Sequence, residues 1–461
     1  MDMRLIQQRI AAALAMATDT RHLRLGDGVL GEAAEVFGRC FDDDRALLVA
    51  DTNTFRAAGG AVAGVLRGAG IELPEALVFE EPSLHADYEH VELVKRAIET
   101  RGGVPVAVGS GTINDLTKLA AHECGRPYMV VATAASMDGY TAYGASVIRD
   151  GSKQTFFCPA PRAVIADLEV ICAAPGELNA AGYADLLAKT TAGADWLLAD
   201  ALDIEAIDVR AWDLVQSRLH DWTGNPECVR RGDRDTILGL VEGLMMTGFA
   251  MQWCKSSRPA SGAEHQFSHL WDMQGHTYRG RVPLHGHKVG IGTLAVTLLY
   301  ERLMAEPLAE IDWGSAGWPD LEELRRLVEL THEKADLRAV AWRESQAKHM
   351  DRETGQLLLE RIRTAWPGLR HRLHEQLVPA DEVGDMLRAA GAPNHPADIG
   401  IDPARLRRSY IEAQQIRRRF TVLDVAVLTG CLVRCLDAVP LAGGRAPAVV
   451  GSDECRARGG H

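Results

Sequence analysis

The stretch GAEHQFSHLWDMQGHTYRGRVPLHGHKVGIG, residues 262–292, holds five of the chain's 16 histidines: His265, His269, His276, His285 and His287. Neutral imidazole ligates borderline divalent ions, and charged imidazole donates to anions. His265 and His269 stand four apart, so on a helix they share one face, a common chelating arrangement. His285 and His287 stand two apart, so on a helix they point in different directions. Spacing alone leaves three uses open: a metal site, a set of phosphate donors, or a solvated helix end.

A second chemical feature is VPVAVGSGTINDLTK. The turn Gly109–Ser110–Gly111–Thr112 falls where a buried strand ends and a helix begins. Glycines there let the backbone approach a diphosphate, and the helix N-terminus offers free N–H groups and a positive dipole end. The spacing is not GxGxxG, and a plain turn is the alternative. Asp115 and Lys118 follow in the first turns of that helix. Asp51 ends an earlier strand, where a carboxylate accepts from a ribose hydroxyl and repels a 2′-phosphate, favouring NAD over NADP. Its alternative use is to cap the next helix.

These features need a scaffold, and the chain has two grammars. Residues 46–53, 71–80, 104–111, 127–134 and 163–171 read as strands alternating with helical patterns, the signature of a parallel sheet covered on both faces. From about residue 175 long helical patterns follow one another without a convincing strand. We therefore expect a Rossmann-like α/β nucleotide-binding domain over 1–172 and an all-α domain over 173–440, with a ligand in the cleft between them. The Gly-rich tail, 441–461, is expected to be disordered. The N-terminal segment reads as an amphipathic helix, not a signal peptide.

Composition excludes other classes. The chain has 461 residues, 47% hydrophobic, and a net charge of −13. That charge argues against a nucleic-acid groove or an anionic membrane surface, and an anionic substrate would need a locally positive pocket. No apolar run reaches the length of a membrane span. The nine scattered cysteines form no CxxC, and Cys431 and Cys435 read as core packing. A cytoplasmic address is expected.

Taken in order, GSGTINDLTK (109–118), ATAASMDGYTA (132–142), AVIADLEVI (163–171), GYADLLAKTTAGADW (182–196), SRPASGAEHQFSH (257–269), LHGHKVGIGT (284–293) and IRRRFTVLDVA (416–426) resemble the sn-glycerol-1-phosphate dehydrogenases. These form a branch of the iron-containing alcohol dehydrogenase and dehydroquinate synthase superfamily, and the likeness runs from about residue 25 to 440. The resemblance implies an α/β nucleotide-binding domain followed by a helical metal-binding domain. It implies NAD(P)H-dependent reduction of dihydroxyacetone phosphate to sn-glycerol 1-phosphate with one divalent ion (zinc, nickel or iron), in a homodimer. Carried over, the metal ligands are Asp185, His265 and His285. His269 passes from ligand to substrate contact. Asp138 stands near nicotinamide and substrate, and Thr133 and Ser136 line the cofactor. Arg258 becomes the phosphate candidate, with Ser261, His269 and Lys189 beside it. Lys189 is four residues from Asp185, so a helix ion pair is its plainer use. Lys153 is expected as a solvated loop lysine, and His276 as an exposed one.

The chain departs from the family where Ala132 and Ala135 replace common prolines and where His287 replaces Glu or Gln. Three other functions compete with this one. A dehydroquinate-synthase-like cyclase wants Asn where Gly262 stands and Glu where Asp185 stands. A same-fold dehydrogenase of another polyol remains compatible. A catalytically silent binding protein would not need all three ligands.

Overall fold

The computed structural model describes residues 2–81, 84–149, 152–310 and 319–438. The expected disordered tail lies outside them. Six parallel strands form one sheet: β1 (His22–Gly26), β2 (Ala46–Asp51), β3 (Leu77–Phe79), β4 (Val104–Gly109), β5 (Met129–Ala132) and, after a hairpin, β8 (Ala163–Asp167). Their spatial order is β1-β8-β5-β4-β2-β3. The sheet is buried on both faces, which is why its strands read as continuous apolar runs. Leu47 and Val49 enter one core with helices Tyr88–Arg101 and Gly111–Glu123, while Leu48 and Ala50 enter the other with helices Ala33–Cys40 and Gly60–Gly68. Five strands were legible in the sequence. β1 was missed, as was the antiparallel pair β6 (Ala145–Arg149) and β7 (Ser152–Phe156).

The order reverses between β2 and β4: from β2 the chain adds β3 on one side, then β4, β5 and β8 on the other. Val49 pairs with Ala107, so the ends of the two strands, Asp51 and Gly109, lie side by side at the switch point. Crevices at such points, outside the carboxyl ends of parallel strands, are where doubly wound sheets bind nucleotides.

Beyond β8 every named element among the described residues is helical, as the second grammar predicts. Three helices build the centre of this half: Gly176–Leu187 and Ala263–Met273, each packed on the third, His285–Ala305. Their crossings are close because glycines stand at them. A Cβ on Gly286 would lie 1.9 Å from the Ala181 carbonyl oxygen, and one on Gly292 would lie 2.4 Å from that of Glu264. Neither position admits a side chain without moving backbone. The pattern expected as one helix over 184–200 is two helices, Gly176–Leu187 and Lys189–Ala201, that meet at Ala188. Among the described residues one helix, Arg234–Cys254, is long and apolar enough to cross a membrane, and it is mostly buried inside the protein.

Candidate metal and cofactor site

Asp185, His265 and His285 come from three different helices. Each offers one ligand atom, and the three atoms lie within 4.8 Å of one another. Gly286 and Gly292, one and seven residues after His285, bring its helix close to those of Asp185 and His265 and so make this possible.

The orientation of the two histidines is fixed from behind. Glu264, fully buried, takes His265 Nδ1 at 2.7 Å through Oε1. The same oxygen accepts from the Gly262 N–H, and Oε2 accepts from Thr191 Oγ1. That leaves His265 Nε2 facing Asp185 Oδ1 at 3.5 Å. His285 Nδ1 lies 3.3 Å from Ser268 Oγ. His265, held through Nδ1 with Nε2 turned toward a carboxylate, has the arrangement of a metal-ligating histidine. A carboxylate with two imidazoles suits zinc and its neighbours, and three protein ligands leave positions open for a substrate oxygen.

Charge follows the same pattern. Burial would raise the Asp185 carboxyl, but Lys189 and the two histidines hold it well below the usual range. Burial pushes His285 down to about 3, against the pull of Asp185. Both therefore stand as ligands must, the carboxylate ionised and the imidazole neutral.

Lys189 is fully buried, its Nζ 2.7 Å from Asp138 Oδ2 and 2.8 Å from Asp185 Oδ1. The Asp138 N–H donates to Asp185 Oδ2 at 3.1 Å. This joins the loop after β5 to the metal cluster, and burial with Asp185 alongside raises the Asp138 carboxyl. His269 lies 6.3 and 6.4 Å, centroid to centroid, from His265 and His285. It is outside the ligand trio, and burial pushes it well below its ordinary value.

The cofactor candidates gather at the sheet's carboxyl edge. A Cβ on Gly109 would lie 2.6 Å from Ile113 Cβ, so this glycine lets helix Gly111–Glu123 start directly beside the strand. Ser110 occupies the N-cap without a side-chain cap bond, and Thr112 sits in the first turn behind it. The Thr133 N–H donates to Gly109 O at 3.2 Å, and Ser136 bonds to Tyr140. Asp51 accepts from the Asn53 and Thr54 N–H groups in a capping box, its alternative use. Asp115 accepts from the Ser146 N–H and Asn114. Lys118 donates to the carbonyls of Gly139, Ala142 and Gly144 at 2.9–3.0 Å. Asp115 and Lys118 thus pin the loop that carries Asp138.

Three expectations need correcting. Arg258 is fully buried, and its terminal nitrogens donate to the Phe420 and Asp195 carbonyls at 3.0 and 2.9 Å. The fork expected for phosphate is occupied by backbone. Lys153 is not solvated: from β7 it reaches Asp272 at 2.9 Å on the far helix, and Lys288 joins the same carboxylate. His276 is not exposed but buried, between the Ile399 carbonyl and Arg405. Ser261 is buried beside the ligand helix, where its hydroxyl accepts from Arg417 and its carbonyl from Arg419.

Glu264, Ser268, Asp272 and the Arg417–Arg419 pair escaped the sequence reading. Only Glu264, an acid next to a ligand histidine, left a local trace.

Comparison with known proteins places the chain as a whole in a family. The sequence profile of the iron-containing alcohol dehydrogenases matches residues 24–175. Glycerol-1-phosphate dehydrogenase (NAD(P)+) of Geobacillus thermodenitrificans is 30% identical over 395 residues, 85% of this chain and 87% of that protein. The enzyme of the same name from Geobacillus stearothermophilus is 32% identical over 383 residues, 82% and 86% of the two chains. Among solved structures, a probable glycerol dehydrogenase from Sinorhizobium meliloti superposes with a TM-score of 0.59 at 16% identity, covering 91% of this chain and 97% of that one. NADH-dependent butanol dehydrogenase A of Thermotoga maritima gives 0.57 at 13%, covering 92% and 97%. At these identities the structural likeness concerns the fold.

Proposed function

The chain belongs to the glycerol-1-phosphate dehydrogenase family and is an NAD(P)-dependent dehydrogenase, and from that premise we propose that it interconverts dihydroxyacetone phosphate and sn-glycerol 1-phosphate with the help of one divalent metal ion. The observation that carries the metal part is the convergence of Asp185, His265 and His285 to within 4.8 Å. Those three residues would hold the ion. Bound there, it supplies Lewis acidity to the substrate's C2 oxygen, with no redox change. Zinc, nickel and iron all suit the donor set.

This chain's own residues do the rest. Glu264 and Ser268 orient the two ligand histidines. Lys189 balances the charges of Asp138 and Asp185. Asp138, at the end of the loop after β5, faces both the cluster and the cofactor edge, and accepts a hydrogen bond from the substrate hydroxyl or the nicotinamide amide. His269, neutral and one turn beyond His265, holds the substrate beside the cluster. The turn Gly109–Thr112 approaches the diphosphate, with Thr133 and Ser136 along the cofactor. Asp51 at the neighbouring strand end accepts from the ribose, which favours NAD. We divide the chain at 172/173, so that cofactor and metal come from different domains and hydride crosses between them. A cytoplasmic homodimer completes the reading.

The test is an NADH-oxidation assay on metal-reconstituted protein, with dihydroxyacetone phosphate, dihydroxyacetone and glyceraldehyde 3-phosphate as substrates. Turnover is expected to be fastest with dihydroxyacetone phosphate. A preference for the unphosphorylated ketone would replace this reading with that of a polyol dehydrogenase.

A further inference from the structure

The cations around the histidine cluster are unevenly neutralised. Lys189 sits between two carboxylates, and Lys153 and Lys288 share Asp272. Arg258 donates to two carbonyls and has Glu205 3.3 Å from Nε. Arg418 forms a two-pronged pair with Glu344. Its neighbours Arg417 and Arg419 differ: among the described residues neither forms an ion pair. Both are half-buried, and both converge on one hydroxyl. Arg417 Nη2 and Arg419 Nη2 donate to Ser257 Oγ at 3.1 and 3.0 Å. Their other terminal nitrogens donate to Ser261, Arg417 to the hydroxyl at 3.3 Å and Arg419 to the carbonyl at 2.5 Å.

Two guanidiniums side by side and partly out of water, with Glu264, Glu344 and Glu205 felt only from beyond ion-pair distance, form an unfavourable arrangement on their own. Burial and the mutual repulsion of the two push Arg419 well below its ordinary value. A bound anion would relieve both effects. The location fits a substrate. Ser257 and Ser261 lead directly into the helix that carries His265 and His269, and the charge of Arg417 is felt at His269. A serine hydroxyl that accepts from arginine still has its own proton to donate. Guanidinium forks and hydroxyl donors together match the several oxygens of a phosphate dianion.

We propose that Arg417 and Arg419, with the hydroxyls of Ser257 and Ser261, form the subsite that binds the substrate's phosphate, the task the sequence pattern assigned to Arg258. The substrate part rests on the phosphorylated-ketone reading above. The anion part does not.

The test therefore has two arms on the double variant Arg417→Gln/Arg419→Gln in the metal-loaded protein. The first is calorimetric titration with inorganic phosphate. The wild type is expected to bind it and the variant to bind it roughly 10- to 100-fold more weakly, as the loss of charge-assisted hydrogen bonds implies. The second is the ratio of kcat/KM for dihydroxyacetone phosphate to that for dihydroxyacetone, expected to fall by a similar factor, roughly 10- to 100-fold. Lysine at both positions is expected to recover part of each loss. Metal content and melting temperature report folding, and removing unpaired charges is expected to leave both at wild-type levels. Equal phosphate affinity in wild type and variant overturns the subsite. Phosphate binding that depends on the arginines, in a wild type that does not turn over dihydroxyacetone phosphate, upholds the subsite and overturns the substrate reading instead.

Discussion

At the residue scale, His265 and His269 separate two roles that four-residue spacing makes look alike. Only His265 has its Nε2 turned to Asp185 and its Nδ1 tied to a buried acid. His265→Ala is expected to abolish metal retention, while His269→Ala keeps the metal and lowers turnover. Metal analysis after dialysis checks both, and equal loss from the two variants would contradict the ligand choice. Glu264→Gln keeps the shape but weakens the hold on His265. It is expected to lower metal affinity by about 10- to 100-fold, the usual cost of losing such a support. A competition titration with a chromophoric chelator measures this, and unchanged affinity would mean that Glu264 serves packing alone.

Local signals carried the ligand set only in part. His265 and Asp185 lie 80 positions apart, and no spacing rule joins them. The motif resemblance did so, and the geometry brings the same three residues together. Arg258 and His276 were misjudged for the opposite reason: what surrounds them comes from Phe420, Asp195, Ile399 and Arg405, partners that a local pattern does not reveal.

At the element scale, the site depends on how closely three helices cross. Gly286→Ala would set a methyl 1.9 Å from the Ala181 carbonyl oxygen. Overpacking of this kind costs about 1–3 kcal/mol or more, and because the crossing sets the position of His285, metal affinity should fall with stability. Thermal melts with and without added metal measure both. An unaltered melting temperature would mean that the helices can separate freely. The sheet was legible because strands buried on both faces leave apolar runs, as VPVAVG does. β1 was not, because HLRLG is short and carries Arg24. The hairpin was not, because its partly exposed strands, ASVIR and SKQTF, give no continuous apolar run.

For the whole molecule, burial of neutral imidazoles sets a pH dependence. His285 is held at about 3, and His287 and His332 at about 4, against 6.5 in an unfolded chain. Below 6.5 the unfolded chain takes up protons that the folded one does not. Stability contributed by these groups is therefore fully present above pH 6.5 and is lost as pH falls toward 3–4. Each contributes up to about 1.4 kcal/mol per pH unit within its window. Asp185, held below its usual range, works in the same direction at still lower pH. Asp195, raised to about 7 by burial, acts in the opposite direction over part of the same window, so the check is made residue by residue. An NMR titration of the metal-free protein is expected to leave His285, His287 and His332 neutral at about pH 5, well below the free imidazole value. Titration of all three at that free value would contradict the burial of neutral histidines. Two grammars in one chain, apolar strands alternating with helices in one half and helices alone in the other, made the change of architecture readable before any geometry.

The most direct test of the central claim is the oxidation of the two glycerol phosphate enantiomers with NAD by metal-reconstituted protein. In the proposed arrangement, metal at one end of the substrate and cofactor on the opposite wall would leave one face of C2 open to hydride. The account predicts turnover of sn-glycerol 1-phosphate and none above background with the 3-phosphate. Equal rates on both enantiomers would contradict it.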